Sequence, residues 1–467
     1  GRTADKSPNP DKLYGRIIVA ALWIALIPVV GKYIIVGISA VLIFSVNNNF
    51  LILAAFVACM VIFVFPLFLL GTVTPSLVKY SVSNLDDNGK TVGTLGAFNT
   101  IGSIIGTFVP TFVTIPAVGT SITFLIFAGI LLALSIVYFV MEKAGKKKVI
   151  ASVLIFAFCC GTGYSDSFAF WENNLTYEGE SVYNYLQVYE NDERVALSTN
   201  VLFGVQSVYM KQDELTGMYY DYAMAAPLML KDKPTDQMDV LILGMGTGTY
   251  ATQCRKYFGD MNIEGVEIDE KITDLSRKYF SLSEDVPVTT YDGRAFLNAS
   301  QKAYDVIMVD AYQDITIPFQ MSSKEFFALV KSHLKDDGVM VVNMRGTKEG
   351  NINQYLSDTI GSVFTTEVIV DVAGSSNREL FASDDPDIGK NLTKHTGELT
   401  NANLKNMMQE VASNLTEYQK GNYILTDDQA PVELLGMQVI DELIKDEVQY
   451  YKDIYKERGI KGLMESL

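Results

Sequence analysis

Three kinds of residue in this chain could do chemistry together: acids placed where apolar runs end, a tyrosine, and a cluster of glycines. Asp310 follows the apolar run Val306–Val309, and Asp292 follows Val286–Thr290. Short apolar runs of this kind read as buried strands, and in an open α/β sheet ligands bind beyond the carboxyl ends of the strands. A carboxylate at Asp292 can accept a hydrogen bond from an exocyclic amine, which makes it a candidate adenine contact. A carboxylate at Asp310 can take a proton from an amine nucleophile and hold the ammonium that remains. Asp310 is therefore the candidate base, with the hydroxyl of Tyr219 assisting it. Asp314, in the loop AYQDITIP, and Asp221 are candidate holders of a substrate amine.

The stretch from Asp239 to Glu270 must position them. Val240–Leu243 is apolar and stops at Gly244, a helical pattern follows, and a second apolar run ends in Glu267-Ile268-Asp269. That order is strand, tight turn, helix, strand, a nucleotide-binding βαβ unit. Gly244, Gly246 and Gly248 let the backbone turn sharply and approach a ligand closely. Glu267, about 20 residues on at the tip of the second strand, suits ribose hydroxyls. The dinucleotide pattern G-x-G-x-x-G would need glycine at 249, where Thr249 stands. G-x-G-x-G is the form common in S-adenosylmethionine-type folds.

Composition bounds the rest. The 467 residues hold 37 Lys and Arg against 54 Asp and Glu, a net charge of −17, with the carboxylates crowded beyond residue 165. That acidity argues against a nucleic-acid partner. The four cysteines have no disulfide or metal-ligand spacing, and His333 and His395 are the only histidines, so no metal site is expected.

Residues 1–165 read as a multi-span membrane domain of about five helices, which makes the lipid bilayer a partner. The apolar stretches are Arg16–Val36, Phe50–Thr74, Thr94–Pro116, Ser121–Met141 and a shorter Val149–Gly163, with Ile38–Val46 a separate interfacial piece. A span needs about 20 apolar residues, so the first four qualify. Apart from Lys32, no acid, lysine or histidine lies deep in them, which suits an anchor better than an ion-coupled transporter. The opening GRTADKSPNPDK resembles the loop between the second and third helices of major-facilitator transporters, with Gly1, Asp5 and Lys6 in its pattern. With Gly1 in place of methionine, that resemblance implies a truncated chain missing two upstream spans. Lysines and arginines cluster in residues 2–16, at Lys79 and Lys90, and at Lys143–Lys148, and none occurs from 149 to 193. The positive-inside rule then exports a domain placed after an odd number of spans. Adenosyl donors are cytosolic, so the two arguments oppose each other on the side of the soluble part.

From Glu180 the pattern alternates with turn signals at Asn191-Asp192 and Phe203-Gly204, as a small antiparallel β-domain over 178–217 would. Residues 218–467 then form the Rossmann-like domain. Met218 onward reads as a helix, Ser322–Leu334 as an amphipathic helix, Asp336-Asp337-Gly338 as a turn and Val339–Met344 as a strand. Glu367–Val372 and Glu379–Ser383 make a final strand pair, and Thr426, with Gln429 three residues on, reads as a capping box for closing helices.

Tyr183-Asn184-Tyr185, Gly204-Val205-Gln206 and Tyr219-Tyr220-Asp221 before Pro227 form one ordered motif set. The glycine turn with Glu267, Tyr291-Asp292-Gly293-Arg294-Ala295-Phe296 and Tyr304–Asp310 continue it. Over about 178–345 this set resembles the spermidine synthases. Leu425–Glu433 resembles a tail signature of their membrane-fused bacterial branch. The resemblance implies an α-helical membrane domain joined to a Rossmann-like, methyltransferase-type α/β domain with a small N-terminal β-domain. It also implies decarboxylated S-adenosylmethionine as co-substrate, a polyamine or other amine as acceptor, and a homodimer. Gln206 and Gly293 join the donor site on this ground, and Tyr183 the amine site. Three departures fall in the amine half. Thr247 stands where the soluble enzymes carry an acid, Tyr220 where they have glutamine, and Asp310-Ala-Tyr-Gln-Asp314 is one residue longer than the family's D-S-S-D. Aminopropyl transfer is the leading expectation. A methyltransferase using S-adenosylmethionine on another acceptor, or a silent polyamine or nucleoside sensor, is the alternative.

Overall fold

The computed structural model describes residues 9–43, 50–81, 88–165, 167, 175–199, 205–311, 317–345, 352–436 and, near the end of the chain, 449–450, 452–454, 456–459 and 462. Two compact units make up the chain, Gly1–Asn173 with Glu178–Tyr185, and Asn174–Tyr177 with Leu186–Leu467.

The first unit is helical. Its helices are α1 (Pro10–Ile43), α2 (Phe50–Leu70), α3 (Val73–Ser81), α4 (Asn88–Val109), α5 (Ile115–Met141) and α6 (Lys146–Thr162), with a π-helical turn over Pro110–Thr114. α1 runs unbroken through Ile38, so no separate interfacial piece begins there. Nothing between Val36 and Ile43 is a breaker beyond Gly37, which costs a helix only about 1 kcal/mol. The third and fourth apolar stretches are divided at Gly119, whose φ of 79° is non-helical, while Pro116 is taken into the helix start. Three helical stretches among the described residues are long and apolar enough to cross a membrane: Pro10–Leu42, Ile52–Ser81 and Gly89–Met141. α1 and α2 are pinned by Trp23 Nε1, which donates to the Ile62 carbonyl at 2.8 Å. Lys32 Nζ donates to the Ser167 carbonyl at 2.9 Å.

Beyond residue 174 the chain forms two sheets. Strands β1 (Leu175–Glu180), β2 (Tyr185–Glu190), β3 (Arg194–Ser198) and β4 (Ser207–Met210) form a small sheet in that order. Two short helices come next, α7 (Tyr219–Ala223) and α8 (Ala225–Met229), where the sequence suggested one; the chain bends at Met224. The main sheet is built from β5 (Asp239–Leu243), β6 (Asn262–Glu267), β7 (Val288–Thr290), β8 (Tyr304–Val309), β9 (Leu334–Arg345), β10 (Thr366–Asp371), β11 (Asn377–Ser383) and β12 (Thr416–Glu417). Its order is β12-β10-β11-β9-β8-β5-β6-β7. β9, β8, β5, β6 and β7 run parallel, whereas β11 and β10 are antiparallel additions at one side. The expected turn at Asp336–Gly338 lies inside β9, whose pairing with β8 shifts register between Tyr304 and Val306. The interleaved helices are α9 (Thr249–Phe258), α10 (Glu270–Tyr279), α11 (Gly293–Ala299), α12 (Lys324–Ser332), α13 (Ile352–Gly361), α14 (Ile388–Glu398) and α15 (Ala402–Asn414).

Strands covered on both faces read as continuous apolar runs, and alternate residues face opposite sides. Val240 and Ile242 accordingly enter one core with Val306, Met308, Val341 and Phe381, while Leu241 and Leu243 enter the other with Ile307, Val309, Phe326 and Val342. These two cores hold the strand tips rigidly in register, which is what a site assembled from those tips requires.

Candidate active site

The glycine turn joins β5 to α9, and all three of its glycines have positive φ. At Gly244 (φ 88°) a Cβ would overlap the Asp310 carbonyl and stand 2.8 Å from Ala311 Cα, so only glycine lets the turn lie against the tip of β8. The Asp310 N–H donates to the Leu243 carbonyl at 2.8 Å and completes that join. On the other side the Gly246 N–H donates to Glu267 Oε2 at 2.8 Å, and the Asp269 N–H donates to Oε1 at 3.1 Å. Burial pushes the Glu267 carboxyl up, and these amides partly offset it. Asp269 also caps α10.

The tip of β7 lies beside that of β6, because the Tyr291 N–H donates to the Glu267 carbonyl at 3.1 Å. Asp292 caps α11 through Oδ1, which accepts from the Ala295 N–H at 2.8 Å, and its Oδ2 accepts from Gln320 Nε2 at 3.3 Å. Gly293 is the first residue of α11; a Cβ there would come 3.1 Å from Met321 Cε. Arg294 donates to the Gln320 carbonyl at 3.0 Å and forms a two-pronged pair with Asp427, both contacts 2.7 Å. This corrects the reading of Thr426 as a helix cap. Thr426 and Gln429 instead exchange backbone hydrogen bonds in a tight turn. The turn leaves the Asp427 side chain free to bind Arg294 and Ser323, and Ser323 is what caps α12.

Asp310 is held from two directions. Tyr219 Oη, from α7, donates to Oδ2 at 2.6 Å, and Asn343 Nδ2, from β9, donates to Oδ1 at 2.9 Å. Desolvation pushes the Asp310 carboxyl up to about 7 against the pull of those two hydrogen bonds, and the Glu267 charge adds to the rise. Burial, then the neighbouring Asp310, pushes the Tyr219 hydroxyl well above its usual range, so it stays a donor. A half-buried carboxylate that ionises near neutrality is suited to exchanging a proton with an amine.

The remaining expected residues fall unevenly. Gln206 lies just before β4, and its Nε2 is buried without a hydrogen-bond partner among the described residues. Ser207 Oγ, next along, would be 3.6 Å from a Cβ on Gly246, which puts this strand against the glycine turn. Asp221 turns away to the preceding loop, where Oδ2 accepts from Thr216 Oγ1 at 2.9 Å and from the Gly217 N–H at 2.7 Å. Tyr183 is exposed in the turn between β1 and β2. Asp314 lies outside the described residues, as do Tyr312 and Gln313. Two of the departures have structural roles. Thr247 is buried with its hydroxyl on Thr249, which in turn donates to the Val208 carbonyl. The Tyr220 hydroxyl accepts from the Val208 N–H at 2.8 Å.

Sequence reasoning did not pick out Asn343 or Gln320. Asn343 did leave a signal, as a polar side chain in the otherwise apolar run Val339–Met344.

The chain matches the Spermine/spermidine synthase domain family over residues 218–369. It is 51% identical over 355 residues to a Bifidobacterium longum protein named "Probable polyamine aminopropyl transferase", spanning 72% of this chain and 78% of that one. With the polyamine aminopropyltransferase of Vibrio vulnificus it shares 27% identity over 221 residues, 45% of this chain and 72% of the relative. Among solved structures it is similar to a probable spermidine synthase from Corynebacterium glutamicum, with a TM-score of 0.42, 20% identity, and coverage of 54% and 98%. The chain is a transferase built on a Rossmann-like sheet. On the identity and coverage of the Bifidobacterium relative, the chain belongs to the polyamine aminopropyltransferase family.

Proposed function

We propose that this chain transfers the aminopropyl group of decarboxylated S-adenosylmethionine to an amine and releases methylthioadenosine, and that its helical unit anchors it in a membrane. Asp310 carries the catalytic half of this reading, as an acid poised near neutrality, held by Tyr219 and Asn343, with the glycine turn packed on its own backbone.

The donor half fits the residues present. Glu267 stands at the tip of β6 for the ribose, and Asp292 at the tip of β7 for the adenine amine. The unpartnered Gln206 Nε2 offers a donor beside the glycine turn. Asp310 accepts a proton from the acceptor ammonium, and the freed nitrogen lone pair attacks the propyl carbon bonded to the sulfonium. As the C–N bond forms, the C–S bond breaks with its electrons going to sulfur, which leaves a neutral thioether. Tyr219, kept protonated, steadies the Asp310 carboxylate while it does this.

Membrane anchorage rests on the three long apolar stretches and on the large hydrophobic side chains they expose, among them Phe56, Phe68, Phe98, Ile104 and Leu134. α6 does not cross in this reading. Its 17 residues begin with Lys146, Lys147 and Lys148, and at 1.5 Å per residue the helix is about 26 Å long against a hydrocarbon core of about 30 Å. The 53-residue stretch Gly89–Met141 crosses twice, turning at Gly119, so four spans precede the catalytic domain and place it in the cytoplasm, where its donor is made.

The test is to incubate the purified full chain with decarboxylated donor and an amine panel. Methylthioadenosine and an amine heavier by one aminopropyl group are expected. A gain of one methyl group from S-adenosylmethionine would support a methyltransferase instead, and donor binding without product a sensor. Asp310→Asn should cut the rate by about 10²–10⁴-fold with donor binding retained; unchanged turnover would remove Asp310 from the mechanism.

A further inference from the structure

One buried acid near Asp310 has no partner among the described residues. Glu379 lies on β11 directly opposite Asn343 of β9, the residue that holds Asp310 just past the end of β8. Directly opposed residues point to the same face of a sheet. Asp310, Asn343 and Glu379 therefore make a polar row across three adjacent strands, above the core that contains Met308, Val341 and Phe381. Asn377, two residues earlier on the same face of β11, donates to Asn343 Oδ1 at 2.8 Å and fixes the middle of the row.

Glu379 is fully buried, and among the described residues neither carboxylate oxygen has a hydrogen-bond partner. Leaving an ionised carboxylate so placed costs several kcal/mol, so the group is neutral unless a cation comes to it. Among the described residues the titratable groups that feel it are Asp310, Tyr219 and Tyr250, none of them a cation. A buried acid with no partner, in line with the catalytic acid, is a strange thing for a core to keep. A group that takes up a cation has a use for it.

Building on the aminopropyl-transfer reading, we propose that Glu379 receives a second, non-reacting ammonium of the acceptor while the nucleophilic amine stands at Asp310, so that the site selects di- and polyamines over monoamines. Two strand spacings, about 10 Å, separate the two ends of the row. A short alkyl diamine with a hydrogen bond at each end covers that distance. Asp310 and Tyr219 keep partial exposure and mark the end from which the amine enters. This puts anionic recognition on β11, compensating for the acid that Thr247 replaces in the glycine turn.

The test compares the full-length wild type with Glu379→Gln, using decarboxylated donor and two acceptors of equal chain length, a diamine and a monoamine. Glu379→Gln should raise the diamine KM at least about tenfold, the loss expected for a buried charged hydrogen bond. The donor KM and the weak monoamine rate should stay as they were. Calorimetry of diamine binding, with methylthioadenosine present, in buffers of different ionisation heat should show proton release in the wild type and less in the variant. Glu379→Leu serves as the folding control. It should melt no lower than wild type, because it removes an unpaired buried acid, and should still lose diamine preference. Equal losses on both acceptors, or an unchanged diamine KM, would overturn the role of Glu379 alone. A wild type that produces no methylthioadenosine with any amine would overturn the transfer reading and this role with it.

Discussion

At the scale of single residues, Asp310 and Tyr219 form a coupled pair whose behaviour can be worked out by sign. In the proposed transfer Asp310 acts in its ionised form, so activity should fall as pH drops through about 7, the value to which burial raises it. The Tyr219 hydrogen bond opposes that rise. Tyr219→Phe removes it, so the acid limb of the pH–rate profile should move to higher pH. Activity should be lower at pH 7 and recover most of the way in alkaline buffer. A profile that keeps its limb and loses amplitude equally at every pH would mean that Tyr219 only orients substrate. Asn343 donates to the other oxygen and pulls in the same direction, so Asn343→Ala is expected to resemble Tyr219→Phe rather than Asp310→Asn.

Whole elements are tied together around the proposed donor half of the site. The tail turn 425–429 reaches α11 through Asp427 and Arg294, and Arg294 holds the Gln320 carbonyl while the Gln320 side chain meets Asp292. Arg294, with Ser323 Oγ at 2.6 Å, draws the Asp427 carboxyl down to about 2. Because the folded-state value is depressed, this contribution to stability is present above pH 4 or so and fades as pH falls through about 2. The Asp427 side chain is 42% exposed, so the pair is worth on the order of 1 kcal/mol after solvent screening. Asp427→Asn should therefore raise the donor KM by up to about tenfold with kcat nearly constant, and Asp427→Glu should restore part of it. A fall in melting temperature with both kinetic constants unchanged would make the tail turn a brace for α12 and nothing more.

For the whole molecule, the question is what the helical unit does to an enzyme of this family. α1, α2 and the stretch from α4 through α5 carry their large apolar side chains outward, where a water-soluble bundle would bury them. The full chain should sediment with membranes and resist alkaline carbonate, yielding only to detergent. Protease added outside intact cells should leave the catalytic domain whole. Release by carbonate would argue for peripheral attachment, and digestion from outside would place the domain on the far side, as the lysine distribution alone suggested.

Local backbone structure was readable from the chain by itself. Glycines at 244, 246 and 248, the acids ending β6, β7 and β8, and the apolar runs before them are set by backbone sterics and by a two-faced sheet. Those constraints act within a few residues. The lengths of the apolar stretches belong to the same class. What pairs with what was decided by the tertiary structure, because hydrogen-bond partners far apart in sequence leave no periodic trace. Asn343 lies 33 residues from Asp310, and Asp427 lies 133 from Arg294. Thr426 matched a capping pattern, yet the turn was taken by a backbone exchange with Gln429 once Arg294 claimed its neighbour. Only strand order brings β11 beside β9, and with it Glu379 into line with Asp310.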